Sequence, residues 1–569
     1  MNDIRRTILW VIFGFSMVLL WDQWQVHNGH KATFFPTPAQ QAKVTSEATP
    51  TLPQATGVPA PVLPQGNAAA VPTVETRVAT KELVQIETDV AKLSFDTEGG
   101  SLVRLELLKH ADEHKHGSNV VLLDDSKDRI YTAQTGLISS VPGAAMPTHK
   151  SVMTVRPGAR QLRDGDDELS ITFESAIQGG VKLVKTYTVK RSAYDMVVKH
   201  DIVNTGAQDV APQLYFQLVR DGNKPAGESS FYSTFTGPAI YTEAKKYQKV
   251  EFADIKKKKV DVEKQSTTGY IAMVQHYFAS AWILPEGISR DISIDAVDIG
   301  STMPDCCYRV TMISPLEAIK PGQTKSIAAT FYAGPQEEKK LEALYPGLEL
   351  VKDYGWLTIL AKPLFWLLHQ LNNILGNWGW SIVSLVVLLK AAFYWLNAHA
   401  YQSMAKMKAI NPKIMEMRER LKDNPQQMQM EMMKIYREEK VNPMGGCVPI
   451  ALQIPVFIAL YWVLLSTVEI RNAPWMGWIQ DLSAPDPYFI LPIFMTLTTM
   501  LQTALNPAPP DPMQAKMMWI MPLAFSVMFF FFPAGLVLYW ITNNVLSIAQ
   551  QWVINTRMGV PPQFNLPKF

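Results

Sequence analysis

Residues 517–556 read MMWIMPLAFSVMFFFFPAGLVLYWITNNVLSIAQQWVINT, forty residues without one charged side chain. A helix crossing the apolar slab of a bilayer needs about 20 residues, so forty is enough for two crossings. Phe532-Pro533-Ala534-Gly535 falls near the middle. Pro and Gly form turns, so the stretch predicts two spans, 517–532 and 535–555, folded back on each other.

Working outward, three more stretches are nearly free of charge. Trp378 to Leu396 carries only Lys390, Val441 to Val468 has no charge in 28 residues, and Pro487 to Pro510 has none in 24. They predict spans at 376–397, 448–468 and 488–505. A sixth candidate is Thr7 to Trp21, TILWVIFGFSMVLLW, preceded by Arg5 and Arg6. A cleaved signal peptide shares that basic start, but no small-x-small site follows closely. Residues 1–24 therefore read as an uncleaved anchor.

Composition agrees with a chain of two characters. Charged residues are 18% of the total, below the roughly 25% of soluble domains. Mean hydropathy is +0.00, an average over unlike halves. Of 15 Trp, 11 follow residue 353, as do 18 of 26 Met, whereas residues 80–350 hold only Trp282. The net charge of +2 argues against a nucleic-acid-binding protein. Three cysteines exclude a disulfide framework.

Orientation follows from the basic residues. Segment 398–447 carries nine Lys or Arg, against one, Arg471, in 469–487. The positive-inside rule puts the first in the cytoplasm and the second outside. Six spans then place both termini in the cytoplasm, with 506–516 a cytoplasmic loop, 556–569 a short cytoplasmic tail, and the large region before residue 350 in the periplasm.

That region opens with a linker, 25–80, in which eight prolines fall between Pro36 and Pro72. Such composition stays extended. From 81 to 350 the pattern alternates. Val181–Val189 and Tyr194–Val203 read as strands about a short turn, and Leu169–Phe173, Gln213–Val219 and Ser326–Tyr332 are similar. A large β-sandwich is expected. His110, His114 and His116 have a spacing that could bind metal but sit in a charged, loop-like stretch. Lys256 to Lys259 reads as a solvated face or a guarded sheet edge. Cys306 and Cys307 are expected as buried thiols, since a bridge between neighbours is strained.

Residues 351–375 have an apolar face interrupted by Lys362, His369 and two Asn, which suits an amphipathic helix on the outer membrane surface. Segment 398–447 holds two helical patterns broken at Asp423-Asn424-Pro425, a helical hairpin projecting into the cytoplasm. Its Met404, Met407, Met415, Met417, Met428, Met430, Met432 and Met433 either fill the hairpin seam or form an adaptable docking surface.

At this point the chain resembles a known family. GNWGWSIVSLVVLLK at 376–390, YQSMAKMKAINPKIMEMRERL at 401–421 and EKVNPMGGCVPIALQIPVFIALYWVL at 439–464 are similar to the YidC membrane-protein insertases of the YidC/Oxa/Alb superfamily. So are DLSAPDPYFILPI at 481–493, DPMQAKMMWIMP at 511–522 and FPAGLVLYWITNNVLSIAQQ at 532–551. The resemblance implies a polytopic α-helical membrane protein, six spans with a five-helix insertase core, plus a periplasmic β-supersandwich similar to sugar mutarotases but without their activity. It implies a chaperone and insertase of the bacterial inner membrane, working alone or with the Sec translocon. Nascent membrane proteins are its substrates, and ribosome or targeting factors are candidate partners of the hairpin. No enzyme activity and no cofactor are implied.

The polar residues of the spans are unevenly spread. Lys390 lies 12 residues from the outer start at Trp378. At 1.5 Å per residue that is about 18 Å deep, in the cytoplasmic half. A buried Lys costs roughly 2.5–3.5 kcal/mol on insertion scales. It therefore faces protein or water, or it snorkels to the headgroups. Asn397, Gln453, Thr499, Gln502, Thr503, Asn543, Asn544, Ser547 and Gln550 also favour the cytoplasmic half. Together with Lys390 they suggest a wet groove open to the cytoplasm, although interhelical hydrogen bonding would use the same residue types. The family's groove residue is usually Arg, so Lys390 keeps charge but loses the bidentate fork. The family's hydroxyl one turn earlier is replaced by Val386. Tyr539 and Trp540 match aromatic positions that the family uses against substrate.

A small-solute transporter and an anchored carbohydrate enzyme are the competing readings. The first lacks inverted repeats. The second has no need of five further spans. No GxxxxGK[ST] is present, so energy must come from apolar burial and from the membrane potential, about 2.3 kcal/mol per charge per 100 mV.

Overall fold

The computed structural model describes residues 82–557 except 113–116, 142, 226–233, 300–302, 304–305, 422–423, 440–447 and 507–511, together with residues 559 and 564. The chain divides into two units at Lys352 and Asp353.

The first unit is built from two antiparallel nine-stranded sheets. In chain order the strands are β1 (Leu83–Glu87), β2 (Ala91–Asp96), β3 (Ser101–Ala111), β4 (Asn119–Asp125), β5 (Ile130–Ser139), β6 (Met153–Val155), β7 (Glu168–Ser175), β8 (Val181–Lys190) and β9 (Asp195–Asn204). There follow β10 (Pro212–Arg220), β11 (Gly237–Thr242), β12 (Lys246–Lys249), β13 (Gln265–Ser266), β14 (Tyr270–Gln275), β15 (Phe278–Ile283), β16 (Arg290–Ala296), β17 (Tyr308–Pro315) and β18 (Thr324–Pro335). One sheet has the order β1-β2-β3-β4-β5-β10-β17-β16-β13, the other β12-β11-β14-β15-β18-β9-β8-β7-β6. Two short helices accompany them, α1 (Phe252–Lys256) and α2 (Glu338–Leu344).

The alternation seen in the sequence becomes burial on one face, as along β7, where Leu169, Ile171 and Phe173 turn inward. Aromatic rings from both sheets meet between them. Phe95 lies 4.7 Å from Tyr187, and Phe216 lies 5.3 Å from Trp282. Polar groups bridge the layers as well: Tyr131 and Ser280 share a 2.6 Å hydrogen bond. Lys185 on β8 is fully buried and donates to the carbonyls of Gly99 at 2.7 Å and Thr135 at 2.6 Å. His200, its cross-strand neighbour on β9, bonds the Thr135 hydroxyl at 2.9 Å.

Three expectations from the sequence meet this unit. His110 lies on β3, 5.5 Å from the Phe278 ring, while His114 and His116 fall outside the described residues. Lys256 to Lys259 is exposed at the end of α1. Cys306 and Cys307 are joined as a disulfide rather than held as two thiols.

The second unit is helical: α3 (Thr358–Leu375), α4 (Trp378–Ala392), α5 (Tyr394–Arg420), α6 (Pro425–Glu438), α7 (Val448–Ser466), α8 (Ile490–Leu505), α9 (Pro512–Met528) and α10 (Ala534–Arg557). The joint between α3 and α4 is capped on both sides. Gly376 takes the left-handed φ of +64°, which a residue with a Cβ rarely adopts, and closes α3. Asn377 then caps α4 by accepting from the Trp380 amide at 3.1 Å. Its own amide donates to the Trp475 carbonyl at 3.1 Å, which ties the joint to the loop before α8.

That loop is ordered around a buried carboxylate. Asp486 accepts from the Leu491 and Tyr488 amides, at 2.7 and 3.0 Å, and from the Trp478 indole at 3.0 Å. It thereby satisfies amides at the start of α8, where negative charge is favoured. The core joins Phe365 and Leu368 of α3, Ile382 and Leu385 of α4, Leu460 and Val463 of α7, Met495 of α8 and Val537 of α10.

The segment expected as one span from 376 to 397 is broken. Its helix ends at Ala392 and resumes at Tyr394 with a 68° bend. Among the described residues no single helix is long and apolar enough to cross a membrane, whereas this bent pair passes on length and composition together. Ile493, Phe494, Leu497 and Leu501 of α8 are exposed, as are Ile520, Leu523, Phe525 and Val527 of α9.

The α5–α6 hairpin has its own small core of Ile410, Ile414 and Met417, packed by Met407, Met428 and Met432. Met415, Met430 and Met433 are exposed. The methionines are therefore divided between a packed seam and an exposed face of the hairpin.

Candidate functional site

A partly open pocket lies in the helical unit where α4, α5, α7 and α10 converge. Lys390 comes from the last turn of α4, and Asn397 from the first turn of α5 beyond the bend. Gln453 comes from α7, and Tyr539 and Asn543 from α10. Val386, Leu389, Phe393 and Val456 complete the wall. The position of Lys390 on α4 is what the sequence dictates. A seven-residue step to Asn397 would keep both on one face of a straight helix. The bend leaves both lining the pocket.

Lys390 is only 9% exposed. Its ammonium donates to the Ser547 hydroxyl at 2.7 Å. Gln550 donates to the Lys390 carbonyl at 3.4 Å. An ammonium has three donors, and among the described residues Ser547 engages one of them. The Tyr539 ring stacks with Phe457 at 6.0 Å. Apolar walls with a few converging polar groups are the ordinary make-up of a binding site.

Other residues from the sequence reading lie elsewhere. Asn544 donates to the Thr499 and Thr498 hydroxyls, at 2.9 and 3.2 Å, across the α8–α10 contact. Thr503 turns its hydroxyl back to the Thr499 carbonyl of its own helix. Gln502 is half-buried on α8 and lines no part of the pocket. The Asn544 bonds make a seam that fastens α8 to α10. Trp540 packs in the core, 4.7 Å from Phe457 and 5.1 Å from Phe529. The structure thus gathers Lys390, Asn397, Gln453, Tyr539, Asn543, Ser547 and Gln550, and separates Thr499, Gln502, Thr503, Asn544 and Trp540 from them. Thr498 and the pocket's apolar walls carry no signal in the sequence that would set them apart from ordinary core.

The donor set around the pocket is one amine, amides and hydroxyls, with no carboxylate, thiol or imidazole among its lining residues. It offers nothing to bind a hard or soft metal ion well, but it suits an acidic or amide-bearing guest.

Comparison with known proteins places both units. The family model described as the YidC periplasmic domain matches residues 83–367. The one described as 60Kd inner membrane protein matches 370–560. The membrane protein insertase YidC of Cupriavidus metallidurans is 54% identical, with 98% of each chain covered. That of Janthinobacterium is 50% identical, covering 98% of this chain and 100% of the relative. A crystal structure of an active YidC insertase with its first transmembrane domain resolved aligns with a TM-score of 0.38 at 19% identity, covering 83% of this chain and 92% of the other.

Proposed function

Since the chain belongs to the YidC membrane-protein insertase family, we propose that its helical unit passes the polar flank of a nascent segment through the pocket around Lys390. The chain is an inner-membrane insertase with a periplasmic β-sandwich domain, and it is not an enzyme. Membrane embedding of the helical unit is supported by the exposed apolar faces of α8 and α9, which water would not tolerate at that extent. Six spans, counting the anchor at 1–24 that lies outside the described residues, set both termini in the cytoplasm. The nine basic residues of the hairpin segment support that orientation.

The observation that carries the reading is Lys390, a buried cation held by one rotatable hydroxyl at the edge of an open pocket. An arriving carboxylate can take the place of Ser547 at the ammonium, trading a neutral acceptor for a charged one. The bond to Ser547 already has a charged donor, and a carboxylate adds Coulomb attraction that the neutral hydroxyl lacks. Asn397, Gln453 and Asn543 replace part of the water that the flank sheds. The hydrophobic segment meanwhile moves along the exposed faces into lipid. No step consumes a nucleotide. The membrane potential supplies about 2.3 kcal/mol per charge per 100 mV. The hairpin, with its exposed Met415, Met430 and Met433, receives substrate or its carriers, and the insertase works alone or with the Sec translocon.

The test is protease protection of translocated tails of graded charge. Lys390→Arg should insert acidic tails as the parent does. Lys390→Ala should lower them about tenfold, the equivalent of roughly 1.4 kcal/mol of lost attraction. Lys390→Glu should be worse, and uncharged tails should change little. Acidic tails inserted at the parental level by both Ala and Glu variants would overturn the groove mechanism.

A further inference from the structure

The lysine-rich end of the β-sandwich is larger than Lys256 to Lys259. Residues 243–264 hold eight lysines and five carboxylates. All eight lysines are exposed, whereas of the carboxylates only Glu243 and Asp261 are. Asp261 lies 3.3 Å from Lys245, and its carbonyl accepts from the Gln248 side chain of β12 at 3.3 Å. The stretch after α1 therefore runs back beside β12. It brings Lys245, Lys246 and Lys249 onto one edge of the sandwich with Lys256 to Lys259 and Lys264.

Two of these lysines occupy backbone positions that disfavour a side chain. Lys246 has φ +56° and Lys258 has φ +54°. Among the described residues only three other non-glycine residues, Ser192, Asn472 and Phe489, are left-handed. Glycine is the ordinary choice there because it has no Cβ to clash. Guarding the sheet edge does not require lysine at Lys258. Lys257 to Lys259 follow α1 and do not lie on β12, whose edge is already covered where Gln248 bonds Asp261 and accepts from the Glu263 amide. Strain kept in order to hold charge points to something that the charge meets.

Two observations say what that is. Between residues 237 and 290 no large apolar side chain is exposed, so the face lacks the aromatic or aliphatic centre of a protein interface. A layer of anionic headgroups asks only for charge. The lysines also stand beside the way out of the sandwich. Tyr241, which leads through the β11–β12 turn to Lys245 and Lys246, lies 6.3 Å from the Tyr345 ring. Its stacked neighbour Tyr270 donates to the Gly347 carbonyl at 2.8 Å. The chain leaves this unit at Lys352, and α3, the helix expected on the outer membrane surface, begins at Thr358.

Resting on the membrane embedding argued above, we propose that this lysine face binds the anionic phospholipid headgroups of the periplasmic leaflet. The ammonium groups meet headgroup phosphates in water, without insertion into the acyl region. Lys246 and Lys258 supply charge at a cost in backbone strain that glycine would avoid.

The experiment places the full-length protein in bilayer nanodiscs of phosphatidylcholine, with or without phosphatidylglycerol, and follows acylation of each lysine by mass spectrometry. In anionic discs Lys245, Lys246 and Lys256 to Lys259 should react about fivefold more slowly, the effect of one lysine beside an anionic surface. The exposed Lys190 and Lys320 should keep their rates. Salt at 1 M should remove the difference, since the screening length falls to about 3 Å. Lys246→Gly combined with Lys258→Gly should raise the thermal midpoint of the sandwich and yet weaken the protection of the remaining lysines. If that pair does not accumulate, Lys258→Asn takes its place, because Asn also tolerates the left-handed region. Equal rates in the two kinds of disc, protection that survives high salt, or a midpoint that falls in the variant overturns the inference. Slowing by soluble phosphate in neutral discs overturns it in favour of a small anion. Slowing in native membranes but not in anionic discs overturns it in favour of an acidic protein. A chain that does not enter neutral discs sinks the membrane reading and this inference with it. A chain that enters them and shows equal rates in anionic discs sinks the inference alone.

Discussion

Each unit of this chain buries a lysine, and the two lysines are held in opposite ways. Lys185 in the β-sandwich is fully buried and donates to two backbone carbonyls, Gly99 and Thr135. Thr135 is on β5 and Gly99 is in the tight turn between β2 and β3, so neither acceptor can move without moving backbone. Burial pulls its ammonium down to about 7. Lys390 in the helical unit donates to Ser547, a hydroxyl that turns about one bond, and it faces open space. A cation locked by backbone is part of the scaffold. A cation held by a side chain at a cavity is available for exchange. The partner, more than the degree of burial, separates structure from function here.

Four outcomes would break or sharpen that contrast. The largest concerns whole segments. Removing the hairpin, 399–440, should abolish insertion, because α5 carries Asn397 into the pocket and the hairpin presents the exposed methionines. Removing 81–345 should leave insertion largely intact, since the pocket is made by the helical unit alone. Crosslinking of a stalled nascent chain to Gln453 measures both. Intact insertion without the hairpin would break the comparison.

Next in size is Lys185→Met. It leaves the Gly99 and Thr135 carbonyls without their donor, at a cost of about 2 kcal/mol. Faster hydrogen exchange in β8 and β9 should report it, while insertion of every tail is unchanged. A fall in acidic-tail insertion would mean that both lysines serve the groove.

A smaller effect follows from Asp486. Its replacement by Ala should loosen the start of α8 by about 1 kcal/mol, read as increased exchange at Tyr488 and Leu491. Insertion should fall by less than with Lys390→Ala, since the cap lies away from the pocket lining.

The smallest is a pH slope. Burial lowers His149 and His200 from the ordinary 6.5 to about 3. The unfolded chain binds these protons at higher pH than the folded one. The β-sandwich should therefore have its full histidine contribution above about pH 6.5 and lose it as pH falls toward 3. Lys185 acts at the other end. Its folded value is depressed to about 7 from 10.5, so its destabilising cost is complete below about 7 and relieved as pH rises toward 10.5. Thermal midpoints across pH test this, and His200→Asn should flatten the acid limb.

Much of the architecture was open to reading from the sequence because its signals are local. The strands Val181–Lys190 and Asp195–Asn204 follow period-two burial. The helix break before Ala534 follows from Pro533 and Gly535. What stayed hidden depended on which neighbour a face would meet. Thr499 and Asn544 are polar at helical spacing, as Asn543 is, but periodicity cannot tell a seam between two helices from the wall of a pocket. One residue separates Asn543, at the pocket, from Asn544, at the seam, yet on a helix one residue is a turn of about 100°. The bend at Phe393 had no breaker residue to announce it, since Ala391-Ala392-Phe393-Tyr394 holds neither Pro nor Gly. The sequence boundary between span and hairpin fell at 397, inside what proved a continuous helix.

The length of α8 has a consequence for the bilayer itself. Its 16 residues span about 24 Å, against roughly 30 Å of hydrocarbon in an ordinary membrane. A short hydrophobic span in a thicker slab creates mismatch, and lipid beside it compresses at a modest cost per ångström. With α8 as one of the proposed spans, the exposed Ile493, Phe494, Leu497 and Leu501 would face that lipid. Acyl chains around such a helix would be deformed before any substrate arrives. Part of the work of moving a polar tail across would then be stored in the resting membrane, as elastic strain in the lipid rather than as strain in the protein.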